Sequence, residues 1–317
     1  MNIDNSLDAL FKPGISNQYF DINSPSPIYV GEIHFNLWNA WWLAELSRLI
    51  YREDRHNSYA DSQNINTNEI LTNVGMEKLG EIYSDETSTY GLLIKFKAFD
   101  KALQSGTSCL VLVFCGSNEL QDWKTNFSAY QRRFYDCGSV HGGFQQAFLS
   151  IKDKLLDLPE IHDHPLFITG HSMGAALATL CTAYLSDHDV KLDACYTYGS
   201  PRVGNNEFAD SLSCKHIYRV INDCDVITTI PFDFVAIKYK HAGHPCFIDA
   251  ETHVRLTMCN DDIEQYQKIQ LSNTDNIFKS GLLEKLKVGE VELYSFLTDH
   301  APINYVAKIE ENLKAVI

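Results

Sequence analysis

Two rhythms of apolar residues run along the chain. Over residues 36–52, Trp38, Trp41, Trp42, Leu46, Leu49 and Ile50 recur at helical spacing and predict an amphipathic, core-packing helix. A different rhythm follows. Cys109-Leu110-Val111-Leu112-Val113-Phe114-Cys115 is apolar without a break, as in a central strand covered on both faces. Shorter strand-like runs fall at 81–83, 90–98, 165–169, 194–198 and 216–221, and 235–239 with 245–248 reads as a terminal hairpin. Between them the period returns to that of a helix. Phe144, Ala147, Phe148, Ile151 and Leu155 mark a helix over 143–156, and an Ala/Leu-rich run follows residue 172. Further helices are predicted at 68–78, 206–212, 262–270 and 277–286, with a last one from His300-Ala301-Pro302 to the C-terminus. Residues 1–36 are irregular, rich in Asn, Ser and Pro, and are expected to wrap over the main body. Apolar strands alternating with helices predict an α/β protein, a mostly parallel central sheet with helices on both faces.

Composition adjusts this picture in three places. A length of 317 residues with 45% apolar residues fits a single α/β domain over 1–317, with 1–36 as an extension packed on it. The formal net charge of −15 argues against non-specific nucleic-acid binding and against electrostatic attachment to anionic lipid. Nine cysteines, an odd number without a CxxC pair, read as buried free thiols. Asp4, Asp8 and Lys12 interrupt any leader-like apolar run. Together these give a cytoplasmic expectation, with export without a leader left open. No stretch approaches the ~20 apolar residues of an integral membrane segment.

Chemistry concentrates at Thr169-Gly170-His171-Ser172-Met173-Gly174, a Gly-x-Ser-x-Gly between a predicted strand and a predicted helix. A strand turning that sharply needs glycine two residues either side of the serine, and the turn leaves Ser172 at a strand's carboxyl end. A serine hydroxyl attacks only when a base takes its proton, usually a histidine steered by a carboxylate, with chain order Ser, acid, His. Asp225 and Asp223 both lie past the 216–221 strand, and position favours Asp225, with Asp223 as a turn former. His241, His244, His253 and His300 are candidate bases, and the loop end before the last helix favours His300. The Met173 N–H, together with the turn at Gly116-Ser117, is a candidate oxyanion hole.

The assembled blocks resemble the class 3 lipase family, the fungal triacylglycerol lipase type. Val113-Phe114-Cys115-Gly116-Ser117 through Asp122-Trp123 looks like its oxyanion strand and Asp-Trp pair. Val140-His141-Gly142-Gly143-Phe144, the elbow, Tyr198-Gly199-Ser200-Pro201-Arg202-Val203-Gly204-Asn205 and Arg219-Val220-Ile221-Asn222-Asp223-Cys224-Asp225 follow in the family's order. The resemblance implies an α/β-hydrolase fold and a triad of Ser172, Asp225 and His300. It also implies Ser117 and Met173 as oxyanion donors and Asp122 as the anchor of the oxyanion loop. Asp299-His300 followed by Tyr305 resembles the family's ending, and the Lys240-His241-Ala242-Gly243 block resembles one that is usually structural. Two departures stand out: Met173-Gly174-Ala175 replaces Leu-Gly-Gly, and Ile227-Thr228 replaces Val-Pro, which leaves substrate preference open.

The implied activity is hydrolysis of lipid carboxylic esters, triacylglycerols foremost, at a lipid–water interface, without metal or cofactor. Phospholipid, feruloyl and short-chain esters are the rival substrates, and a non-catalytic lipid-binding scaffold is the rival of another class. Residues 118–136 stand where similar lipases carry a lid. Trp123, Phe127, Tyr130 and Phe134 form one helical stripe there, expected either to cover the site or to pack on the domain.

Overall fold

A computed structural model describes residues 1–14, 18–53, 66–116, 130–231, 237–272 and 297–315. Its frame is a nine-stranded sheet. In chain order the strands are β1 (Ile28–Val30), β2 (Met76–Ser84), β3 (Thr89–Asp100), β4 (Ser105–Phe114), β7 (Leu166–His171), β8 (Leu192–Tyr198), β9 (Ile217–Asn222), β10 (His244–Ile248) and β11 (Val254–Arg255). A separate two-stranded ribbon pairs β5 (Gln131–Arg133) with β6 (Ser139–His141). The spatial order is β1-β3-β4-β7-β8-β9-β10-β11, with β2 paired to β3. From β4 through β10 all neighbours run parallel. The antiparallel pairs β2·β3, β3·β4 and β10·β11 close the two ends.

Helices cover both faces, as the continuous apolar strands require. On one face lie α2 (Leu37–Leu49) and the last helix, α8 (Pro302–Lys314). On the other lie α4 (Gly142–Leu149) and α5 (Met173–Leu185). Alternate residues of β4 divide accordingly: Val111 and Val113 join the core under α2, whereas Leu110 and Leu112 join the core under α5. Shorter helices are α1 (Leu7–Phe11), α3 (Thr67–Asn73), α6 (Asn206–Ser211) and α7 (Asn260–Ser272). Among the described residues no helix is long and apolar enough to cross a membrane.

Four expectations need correction. The helix over 36–52 is not amphipathic, because residues 18–30 lie across its polar side. Glu45 and Arg48 are buried there as an ion pair at 2.7 Å, and Glu45 also accepts the Phe20 N–H at 2.8 Å. The helix expected over 68–78 stops at Asn73, since Gly75 takes φ 75°, a left-handed value, and the chain enters β2. Of the expected hairpin, 235–236 lie outside the described residues, 237–239 form no strand, and 245–248 take other partners. They extend the parallel sheet beside β9 and pair antiparallel with β11. The 118–136 stripe is also broken: 118–129 lie outside the described residues, 131–133 form β5, and Phe134 is buried between Phe148 and Phe208. The helix expected at 277–286 falls outside the described residues as well.

Candidate active site

The elbow forms where β7 meets α5. Ser172 takes φ 59° and ψ −125°, a left-handed value that a residue with a side chain holds only when its surroundings enforce it. The enforcement is steric. A Cβ on Gly170 would lie 2.4 Å from the Gly174 backbone, and one on Gly174 would lie 2.2 Å from the Phe114 carbonyl oxygen. Both glycines let α5 start close against β4 and β7. The Ser172 N–H donates to the Tyr198 carbonyl at 3.0 Å, which fixes the elbow to the end of β8. Met173 opens α5, and N–H groups in a first turn have no acceptor within the helix, which suits them to developing negative charge.

Two strands over from β7, Asp225 follows β9 and is fully buried. Its Oδ1 accepts the Ile227 N–H at 2.9 Å, capping the short turn Val226–Thr229. Its Oδ2 accepts from His300 Nδ1 at 2.8 Å and from the Tyr305 hydroxyl at 2.6 Å. Gly199, at the end of β8, sits against this pair: a Cβ there would lie 2.8 Å from both Asp225 Oδ2 and His300 Nδ1. Thus Ser172, Asp225 and His300 stand at the carboxyl ends of β7, β9 and the loop before α8, on one edge of the sheet.

The other candidates separate from this edge. Asp223 has φ 41° and accepts from the Tyr266 hydroxyl at 2.8 Å, a turn role. His241 is buried, and its Nε2 donates to the Thr228 carbonyl at 2.8 Å. His244 is exposed at the start of β10, and His253 faces Asp249 and Glu251 at the surface. Ser117 and Asp122 lie outside the described residues. Among the described residues, no group of three or more His, Cys, Asp or Glu side chains stands together as a metal site would require.

Several partners of the pair carry no sequence signal. His171 Nε2 donates to the His300 carbonyl at 2.6 Å; a carbonyl only accepts, so His171 Nδ1 must accept from the Tyr51 hydroxyl at 2.8 Å. Burial, followed by the charge of His300, holds the His171 pKa well below the usual histidine range, which keeps this neutral tautomer. Asn222, the last residue of β9, donates from its side chain to the Asp299 carbonyl at 2.8 Å and from its backbone to the Tyr305 hydroxyl at 3.2 Å. Tyr51 lies 120 residues before His171, so no local pattern could announce the contact. Tyr305 stood in the family-like ending but without a role.

Residues 111–235 match the family described as Lipase (class 3). Over that span the chain resembles the class 3 lipases. Secreted mono- and diacylglycerol lipase 1 of Fusarium solani is 33% identical over 150 residues, 44% of this chain and 44% of that protein. The lipase of Rhizomucor miehei is 27% identical over 168 residues, 49% of this chain and 46% of the relative. The chain therefore spans about half the length of the curated relatives it matches. A solved structure of the R. miehei lipase propeptide complex superposes with TM-score 0.54 at 17% identity, over 81% of this chain and 89% of that one. This likeness shows the α/β-hydrolase fold.

The cytoplasmic expectation is overturned: the similar Fusarium protein is a secreted lipase by name. The inference from cysteines fails for a physical reason. Cys109, Cys115, Cys181, Cys195, Cys224 and Cys246 are buried and serve as small apolar residues, so their number says nothing of the redox compartment.

Proposed function

We propose that the chain is a serine ester hydrolase that cleaves lipid esters, acylglycerols foremost, through an acyl-enzyme on Ser172. The observation that carries this reading is a strained serine elbow beside a buried, hydrogen-bonded Asp225–His300 pair. His300 Nε2 takes the Ser172 proton as the serine oxygen attacks the ester carbonyl. The resulting oxyanion meets the Met173 N–H at the start of α5, with Ser117 as the second donor. Protonated His300 then gives its proton to the leaving alkoxide, and the ester C–O bond breaks. Water, deprotonated by His300, attacks the acyl-enzyme and releases the acid. Asp225 holds the Nδ1–H and stabilises the imidazolium. The acylglycerol class is supported by the names of the relatives and by the apolar residues around the acid and base turns. The enzyme meets its substrate at a lipid–water interface and works as one domain.

Replacement Ser172→Ala is expected to lower turnover of p-nitrophenyl butyrate by roughly 10⁴-fold or more, and to abolish labelling by a fluorophosphonate. Turnover retained in that variant would sink the reading. Hydrolysis of triolein, phosphatidylcholine and methyl ferulate by the unsubstituted protein ranks the substrate classes, and preference for either of the latter two would overturn the acylglycerol assignment.

A further inference from the structure

Outside the two large cores lies a small apolar cluster made of Ala9, Leu10, Val226, Ile227, Leu297 and Ala301. Its membership is unusual. Val226 and Ile227 directly follow Asp225, and Leu297 and Ala301 flank His300. Ala9 and Leu10 come from α1, nearly the whole chain away. Phe11, Ile230 and Ile303 pack on its rim. A second contact runs in parallel. The Asp4 N–H donates to Asn304 Oδ1 at 2.7 Å, and Asn304 Nδ2 donates to the Asp4 carbonyl at 2.9 Å. The same Asn304 Nδ2 reaches the Thr298 carbonyl at 2.9 Å, so the arm is joined to the turn that carries His300.

The arm cannot hold its shape alone. Helix α1 is 5 residues long, capped by the Ser6 hydroxyl, which accepts the Ala9 N–H at 3.2 Å. Helices that short are unstable in water, so α1 is ordered because it docks. Docking and the alignment of the two turns are therefore one equilibrium, and each side stabilises the other reciprocally. Among the described residues, the acid and base turns are also joined by Asp225–His300 itself, Asp225–Tyr305, Asn222 and the Cys224 N–H donating to Asp299. The arm adds an apolar contact shared by the same two turns.

We propose that residues 4–10 form a positioning clasp that ties the Asp225 turn to the His300 turn and so sets the rate of the chemical step. The proposal rests on the ester-hydrolase reading. No residue of the clasp touches the reacting atoms; its effect passes through the alignment of His300 with Asp225, where misplacement by about an ångström costs roughly 10²-fold.

The test is Leu10→Ala in the full chain, assayed well below its melting midpoint with p-nitrophenyl butyrate. The expected result is kcat lowered about 10-fold, with KM within about twofold and slower fluorophosphonate labelling of Ser172. Leu10→Met, which refills the cluster, restores kcat. If Leu10→Ala does not fold, Leu10→Val reads the same split at smaller size. A lowered melting midpoint with unchanged kcat overturns the clasp, because the arm would then stabilise without positioning. A raised KM with unchanged kcat overturns it too, because the arm would then line the ester site. A readout independent of turnover is the low-field proton resonance of His300 Nδ1–H, expected in the unsubstituted protein and broadened or lost in Leu10→Ala. If the unsubstituted protein hydrolyses no ester and that change still occurs, the hydrolase reading falls and the clasp stands. If the resonance is the same in both, the clasp falls.

Discussion

Tyr305 decides how the acid is held. Its hydroxyl donates to the same Asp225 oxygen that accepts from His300, and it accepts from the Asn222 backbone. Burial and the neighbouring Asp225 charge raise the Tyr305 pKa well above the usual phenol range, so it remains a donor at every working pH. Tyr305→Phe removes one of the two side-chain donors to Asp225 Oδ2 and loosens the carboxylate that orients His300. The value of kcat is therefore expected to fall about tenfold with KM little changed. The orphaned Asn222 N–H adds a stability loss of about 1–3 kcal/mol, read by urea unfolding. An unchanged kcat beside that stability loss would show that Tyr305 acts by packing alone. Position at a strand end or before a helix favoured Ser172, Asp225 and His300 in the sequence, and the resemblance to class 3 lipases chose Asp225 and His300 over their rivals. It did not mark Tyr51, His171 or Tyr305 as supports, since what they support is reached only through folding.

The elbow is where an element's start is fixed by its neighbour. A Cβ on Gly174 would fall 2.2 Å from the Phe114 carbonyl oxygen, and backbone cannot swing away as a side chain can. Gly174→Ala is expected to push α5 from β4 and cost about 3 kcal/mol, seen as a lowered urea midpoint, with Ser172 labelling slowed as well. Full stability in that variant would mean that α5 and β4 tolerate a wider spacing than the elbow shows. Elements whose pattern is local were readable in this way: β4, β7, β8 and β9 each carry an apolar run, and α5 is rich in Ala and Leu. Strand β2 was half hidden because Glu77 and Glu81 face solvent on its exposed positions. The helix α2 misled for the opposite reason. Its polar residues Glu45 and Arg48 pair beneath a distant segment, and periodicity alone cannot distinguish a buried ion pair from a wet face.

For the whole molecule, the sheet order and the docking of the N-terminal arm depend on contacts far apart in sequence, so neither could be read before the fold. The net charge of −15 could be read, and it predicts repulsion that grows with pH and is screened by salt. Asp299 adds a local effect that salt leaves largely intact. Burial raises its pKa to about 7, opposed by Lys308 and supported by the charges of Asp223 and Asp225. The ordinary aspartate value is near 3.8, so between roughly pH 4 and pH 7 the folded chain holds a proton that the unfolded chain has released. Stability then falls as pH rises through that window, and the loss is complete above about pH 7. Its upper bound is roughly 4 kcal/mol at 1.36 kcal/mol per pKa unit. Asp299→Asn keeps an acceptor for the Cys224 N–H and removes the titration. It is expected to raise the urea midpoint at pH 8, in high salt, and to leave it unchanged near pH 4. An equal gain at both values would assign the effect to packing, and no gain at pH 8 would mean that Lys308 already neutralises Asp299.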